Sequence, residues 1–214
     1  MRLPLNIKVA LFDLDGVIFN TEDLAHVVFA RLSKRYKFVF NEDDHKTVLG
    51  SSEAFWSSYM TNKCSSRMKA SQFAEEFWKE LRYEANKNIK LMHGVLDCFR
   101  VLKIKGIEKC LVTSSPREYV KELLNRFEIY SEFVYIVSGE DVQANKPAPD
   151  SYLFATEKMN VSPKDCVVIE DSINGVRSGR SAGCYVIAVP TIHASGIDFS
   201  VADAVVQGLE EIEL

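Results

Sequence analysis

The chain has 214 residues, 47% of them hydrophobic and 26% charged, with a formal net charge of −4. That length holds one large domain or a core with a smaller insert, at about 100–200 residues per domain, and the composition suits a soluble globular protein with a real core. The acidic balance, with no dense Lys/Arg run, excludes an electrostatic nucleic-acid binder, and no apolar stretch approaches the roughly 20 residues of a membrane span.

The opening MRLPLNIKVALF runs into a strand pattern rather than a leader with a cleavage site, which predicts a cytoplasmic protein. The first apolar run, KVALFDLD, ends in Asp13 and Asp15, with Gly16 following. From Thr21 to about Leu91 the pattern turns helical: Phe55 and Tyr59, then Phe73, Phe77 and Leu81, recur at four-residue spacing with charges between them. The aromatics of this segment, Trp56 and Trp78 included, are expected in the core of a helical bundle. From His93 onward β-rich runs return as KCLVTSS, FVYIVSG, CVVIED, CYVIAVP and ADAVVQG, separated by helix-length segments. Apolar runs without strict polar alternation argue for strands covered on both faces. The predicted fold is α/β: a doubly wound, mostly parallel sheet from residues 1–20 and 92–214, with a helical insert over 21–91. Short hinges are expected near residues 19–21 and 90–94. Five cysteines (Cys64, Cys98, Cys110, Cys166, Cys184) form no CxxC pair and read as small hydrophobes in a reducing compartment.

In open α/β sheets ligands bind at the carboxyl ends of the strands. Asp13 and Asp15 end the first run, Thr113 and Ser114 end KCLVTSS, and Glu170 and Asp171 end CVVIED; Lys146 in NKPAPD joins them. Two carboxylates about 4 Å apart repel by roughly 4 kcal/mol at an effective dielectric of 20, so this rim calls for a divalent cation beside Lys146. Oxygen donors without nearby His or Cys point to Mg²⁺, which works beside phosphate. A phosphoryl group would meet that cation, Lys146, the Thr113 hydroxyl and backbone N–H groups after TSS. Asp13 suits a nucleophile on phosphorus, and Asp15 suits a general acid and base.

These stretches resemble the haloacid dehalogenase superfamily. DLDGVIFNTE looks like its first motif, LVTSS its second, Lys146 in NKPAPDSYLF its third and VVIEDSINGVRSGRSAG its fourth, in the family's order over essentially the whole core. The segment DSINGVRSGRSAGC is similar to the branch of sugar phosphatases and β-phosphoglucomutase. The resemblance implies a Rossmann-like core, with Asp13 as nucleophile, Asp15 as acid/base, and Thr113 and Lys146 as phosphate ligands. It implies Mg²⁺ held by Asp13, Asp171 and the Asp15 backbone carbonyl, with Glu170 orienting Lys146 or a metal-bound water, and an insert that acts as a cap over the site. Asp15 argues against the dehalogenase branch.

Each residue also has a plain structural role: a capped turn for Asp13 and Asp15, a helix cap for Glu170 and Asp171, a strand-end turn for Thr113 and Ser114, a surface charge for Lys146. Their joint occurrence favours catalysis. A non-catalytic alternative is a calcium loop, since DLDGVIFNTE fits the latter part of an EF-hand with Glu22 in the bidentate position; its first ligand would fall on Leu11, which has no oxygen. The second alternative is a phosphosugar mutase. A mutase needs a second anion site in its cap, which the β-phosphoglucomutase pattern provides with an arginine in the loop where this chain carries Glu53 in VLGSSE; the position that is histidine in mutases at the cap entry falls on Ala25, beside His26; and the mutase's Ser-Lys-Asn reads SPR, Ser115 to Arg117. These departures favour a phosphatase for a small, sugar-like phosphate. Arg117, Ser114 and the loop Gly50, Ser51, Ser52 and Glu53 are the candidates for contacting substrate, and His93 stands where relatives often carry proline. The expected partner is a small phosphate ester, not nucleic acid or membrane, and the expected state a monomer or weak dimer.

Overall fold

The apolar runs KVALF, KCLV, YIV, CVVIE, YVIA and AV all form strands; those of the sheet centre bury consecutive side chains on both faces, while the edge strands YIV and AV stay partly exposed. In the computed structural model, which describes residues 4, 6–65 and 68–212, they are β1 (Val9–Phe12), β2 (Glu108–Val112), β3 (Tyr135–Val137), β4 (Cys166–Glu170), β5 (Tyr185–Ala188) and β6 (Ala204–Val205). All pair in parallel in the order β3-β2-β1-β4-β5-β6. Eight α-helices accompany them among the described residues: α1 (Thr21–Tyr36), α2 (Glu42–Val48), α3 (Glu53–Lys63), α4 (Ala70–Asn88), α5 (Val95–Ile104), α6 (Arg117–Arg126), α7 (Asp150–Lys158) and α8 (Ile173–Ser181). This is the doubly wound α/β architecture, with a helical insert between β1 and α5.

Successive side chains of a strand alternate between faces. Val9, Leu11, Cys110, Val112, Val168 and Val186 pack on Tyr152 and Ala155 of α7 and Val176 of α8. On the opposite face Ala10, Phe12, Leu111, Val167 and Ile169 pack on Phe99 and Leu102 of α5 and Val120 and Leu124 of α6. Phe12 meets Phe99 edge-on at 5.3 Å. Burying each such large side chain contributes about 1.5–3 kcal/mol. The cysteines are unpaired; four of them are buried and Cys64 is half-buried.

In the insert α1 lies against α4. Phe29 stacks on Phe77 at 4.5 Å, and Arg31 pairs with Glu80 at 2.7 Å while Arg35 pairs with Glu76 at 2.9 Å. Phe73, Phe77 and Leu81 are buried, as their spacing predicts. Phe55 is not: it is 49% exposed, because α3 turns Trp56 and Met60 inward instead, one helical position on. The two crossings of the insert run side by side. The Asn20 N–H donates to the Lys90 carbonyl at 3.1 Å, the Lys90 N–H to Asn20 Oδ1 at 2.7 Å, and the Met92 N–H to the Ile18 carbonyl at 2.9 Å. His93 is exposed and its Nδ1 lies 3.3 Å from Glu210, a tie to the helical turn Leu209–Glu211. No helix among the described residues is long and apolar enough to cross a membrane.

Candidate active site

Strand register sets the site. Phe12 pairs with Leu111 on one side and with Ile169 on the other, so Asp13 comes level with the ends of β2 and β4. The backbone continues the ladder one step further: Asp13 N–H donates to the Ile169 carbonyl at 3.0 Å and Thr113 N–H to the Val137 carbonyl at 3.0 Å. Asp13, Thr113, Glu170 and Asp171 therefore meet at the carboxyl edge of the sheet, and all four are buried.

Lys146 joins them from the loop before α7. Its Nζ lies 2.5 Å from Asp13 Oδ1 and 2.7 Å from Glu170 Oε1, and it donates to the Val112 carbonyl at 2.9 Å. Burial opposes the lysine's charge, but the Asp13 and Glu170 carboxylates outweigh it and hold the ammonium above its ordinary pKa. Asp13 Oδ2 accepts the Asp15 N–H at 2.9 Å. Asp15 Oδ2 in turn accepts from the Ser115 hydroxyl at 2.7 Å and the Thr113 hydroxyl at 3.2 Å.

Glu170 is fully committed. Oε1 also accepts from the Tyr152 hydroxyl at 2.7 Å, and Oε2 accepts from the Ser172 hydroxyl at 3.1 Å and the Ser172 N–H at 3.3 Å. Of the two roles open to it from sequence, orienting Lys146 is the one its contacts match. Asp171 differs: its Oδ2 is buried with no hydrogen-bond partner among the described residues. Carboxylate oxygens of Asp13, Glu170 and Asp171 lie within 4.8 Å of one another. Burial raises the Asp171 carboxyl well above its usual range, with Glu22 and Asp13 adding to it. Burial likewise raises Asp13 well above its usual value, with Lys146 opposing. An orphaned oxygen among repelling carboxylates, all hard donors, is the setting a divalent cation of the Mg²⁺ class fits. Gly16, at a φ of +76°, is required beside it: a Cβ there would overlap the Asp171 carboxylate.

The insert covers this edge. Asn174 Nδ2 donates to the Leu49 carbonyl at 3.1 Å, and Gly50, at a φ of +63°, has no room for a Cβ against Ser172. Beneath the insert a cavity of about 80 Å³ reaches Asp15 and Ser115; Thr21, Glu22, Ala25, His45, Gly50 and Ser51 line it together with Phe29, Trp56, Phe77 and Trp78. No Lys or Arg is in that lining. Burial raises the Asp15 carboxyl above its usual value and the nearby Glu22 charge adds to the shift.

The predicted substrate contacts divide. Gly50 and Ser51 face the Asp15 cavity, while Ser52, Glu53 and Ser114 line a neighbouring cleft of about 440 Å³ with Glu140 and Asn145. The Ser52 hydroxyl caps α3 by accepting from the Phe55 N–H, and Glu53 accepts from Trp78 Nε1 at 2.5 Å. Arg117 stands apart: its guanidinium pairs with Asp141 and lies 4.0 Å from Glu140, so local carboxylates draw it away from the cavity. The calcium-loop alternative fails on geometry, since Leu11 is buried in β1 and the chain enters as a strand where a helix is needed. Trp56 and Trp78 belong to the bundle but also wall the cavity, a double role the periodicity alone does not reveal. Tyr152 carries no sequence signal, and Ser115 and Glu22 enter the sequence reading only through the mutase and calcium-loop alternatives, not as partners of Asp15. Ser115 was detectable as the second hydroxyl on the Thr113 side of an extended TSS.

The chain belongs to the haloacid dehalogenase-like hydrolases, whose sequence pattern matches residues 10–189. Within them it is a phosphatase, as its curated relatives are. A phosphorylated carbohydrates phosphatase from Thermotoga maritima is 30% identical over 176 residues, covering 82% of this chain and 82% of that protein. A bifunctional riboflavin kinase/FMN phosphatase from Arabidopsis thaliana is 29% identical over 205 residues; the match takes in 95% of this chain but 54% of that protein, so the chain spans about half the length of that relative. In fold the chain matches the crystal structure of β-phosphoglucomutase from Clostridium difficile with a TM-score of 0.84 at 22% identity, over 97% of this chain and 94% of that one.

Proposed function

We propose that the chain is a Mg²⁺-dependent phosphomonoester hydrolase for a small, sugar-like phosphate, working through an aspartyl-phosphate on Asp13. The observation that carries the proposal is the clamp on Asp13: Oδ1 on the Lys146 ammonium, Oδ2 on the Asp15 N–H, and the unpartnered Asp171 Oδ2 in the same cluster. Asp13 and Asp171, with the Asp15 backbone carbonyl, would hold Mg²⁺. When bound, the ion neutralises charge on the phosphoryl oxygens and on these carboxylates.

A carboxylate oxygen of Asp13 attacks phosphorus as the ester P–O bond breaks. The leaving oxygen takes the Asp15 proton, which burial and the Glu22 charge retain to higher pH than in an ordinary carboxyl. The Asp15 carboxylate then accepts a proton from water as its oxygen attacks phosphorus, releasing phosphate and restoring Asp13. The Ser115 and Thr113 hydroxyls keep Asp15 aimed through both steps. Lys146, fixed by Glu170, offers positive charge to the phosphoryl oxygens without needing to reorganise.

Residues 21–91 serve as a cap on the core formed by residues 1–20 and 92–214. Its aromatic wall can pack on the C–H faces of a sugar while Ser51 and Thr21 meet hydroxyl groups. Hydrolysis is favoured over mutase chemistry because the cavity lining holds Glu22 and no lysine or arginine to bind a second phosphate. The test is phosphate release from a panel of sugar, polyol and small-acid phosphates with and without Mg²⁺, run beside a coupled assay converting β-glucose 1-phosphate to glucose 6-phosphate. Mg²⁺-dependent release is expected; isomerisation outpacing release would overturn the phosphatase assignment.

A further inference from the structure

Outside the carboxylate site, three histidines from three separate elements converge. His26 lies on α1, His45 on α2, and His193 in the helical turn Ile192–Ala194 that follows β5. One ring nitrogen of each lies within 4.8 Å of the others. His26 Nδ1 and His45 Nδ1 stand 3.0 Å apart, and the His193 ring stacks on His26 with centroids at 5.3 Å. Nitrogens bound at about 2.0–2.1 Å to one tetrahedral zinc stand about 3.3–3.4 Å from each other, so the first pair needs only a small separation to share an ion.

The outer contacts point the same way. His45 Nε2 lies 3.1 Å from Glu22 Oε2, and His193 Nε2 lies 2.8 Å from Asp23 Oδ1. A carboxylate on one ring nitrogen fixes the tautomer that leaves the other as a lone-pair donor, the arrangement that supports metal-bound imidazoles. The cluster opens on a cavity of about 290 Å³, also lined by Glu42, Lys46 and Ser195, which leaves a fourth coordination position for water or a small ligand.

We propose that His26, His45 and His193 form a second metal site, selective for Zn²⁺ over Mg²⁺, that ties the inserted helices to the strand-bearing half of the chain. Imidazole donors suit zinc, whereas the oxygen set around Asp171 suits magnesium. Two ligands ride on the insert and one on the core, so occupancy pins the arrangement that covers Asp15. Glu22 touches both places, facing His45 and the Asp15 cavity.

The test is calorimetric titration of Zn²⁺ into the intact, Mg²⁺-saturated protein, with Co²⁺ absorption as the spectroscopic readout. Wild type should take up one equivalent of Zn²⁺ and give the intense visible bands of tetrahedral, nitrogen-bound Co²⁺. His193→Gln and His26→Gln, both at partly exposed positions, should each weaken Zn²⁺ binding by more than the about 10–100-fold expected for the outer-contact variant Asp23→Asn, with circular dichroism unchanged. Absence of Zn²⁺ uptake over Mg²⁺ in wild type, or uptake and Co²⁺ bands that persist in both folded histidine variants, would overturn the proposal.

Discussion

Lys146 and Glu170 form an ion pair closed to solvent, with Nζ 2.7 Å from Oε1 and side chains 2% and 0% exposed. Truncating Glu170 leaves Lys146 on Asp13 alone and strips the buried Tyr152 and Ser172 hydroxyls of their acceptor, each such unsatisfied group costing about 1–3 kcal/mol. Glu170→Ala should lose stability on that scale in urea denaturation and should lower kcat as Lys146 loses its anchor. A variant within about 1 kcal/mol of wild type would mean that the pair does not hold Lys146 in place.

The buried Asp13–Asp171 carboxylate cluster gives the protein a distinctive pH dependence. Asp13 and Asp171 have folded-state pKa values raised by burial, so without metal the folded state binds more protons than the unfolded chain above the ordinary carboxylate range. Stability then falls as pH rises through that range towards the folded-state values. In EDTA the Tm should decrease from about pH 4 upwards, and Mg²⁺ should restore it. Asp171→Asn, which cannot ionise, should raise the metal-free Tm at pH 7 and abolish the response to Mg²⁺, with each 1 kcal/mol moving Tm by about 2–4 °C. A Tm independent of Mg²⁺ in wild type would contradict the fit of the ion to this cluster.

Asp15 is assigned both proton transfers, and these can be separated. With p-nitrophenyl phosphate, whose leaving group needs little protonation, Asp15→Asn should still release a burst of nitrophenol but lose about 10²–10⁴-fold in steady-state rate, because water is no longer activated. Equal loss in burst and steady state would remove Asp15 from the second step.

Glu22 raises the pKa of Asp15 second only to burial. Glu22→Gln should therefore lower it, moving the alkaline limb of the kcat–pH profile to lower pH, since the first step needs protonated Asp15. A limb that stays in place would assign it to another group.

The sheet was legible because its central strands are short apolar runs with both faces to bury, and the four acidic motif positions, Asp13, Asp15, Glu170 and Asp171, were legible because strand ends are where such residues gather. The insert was legible only as periodicity: Phe73 and Phe77 follow it inward, yet the neighbouring Trp56 rather than Phe55 faces the core, a difference of one position that spacing cannot resolve. Arg117 read as a substrate contact because nothing local in SPR shows that Asp141, 24 residues on, will capture it. The convergence of His26, His45 and His193 was invisible for the same reason, since it depends on how the insert sits on the turn after β5.

The central claim is covalent catalysis by Asp13, and intact-mass spectrometry of acid-quenched enzyme during Mg²⁺-supported turnover of p-nitrophenyl phosphate tests it most directly. Asp15→Asn should accumulate one added phosphoryl group that peptide mapping places on Asp13, and Asp13→Asn should show no adduct and lose at least about 10⁴-fold in kcat while keeping its fold. An adduct on another residue, or turnover surviving in Asp13→Asn, would contradict the account.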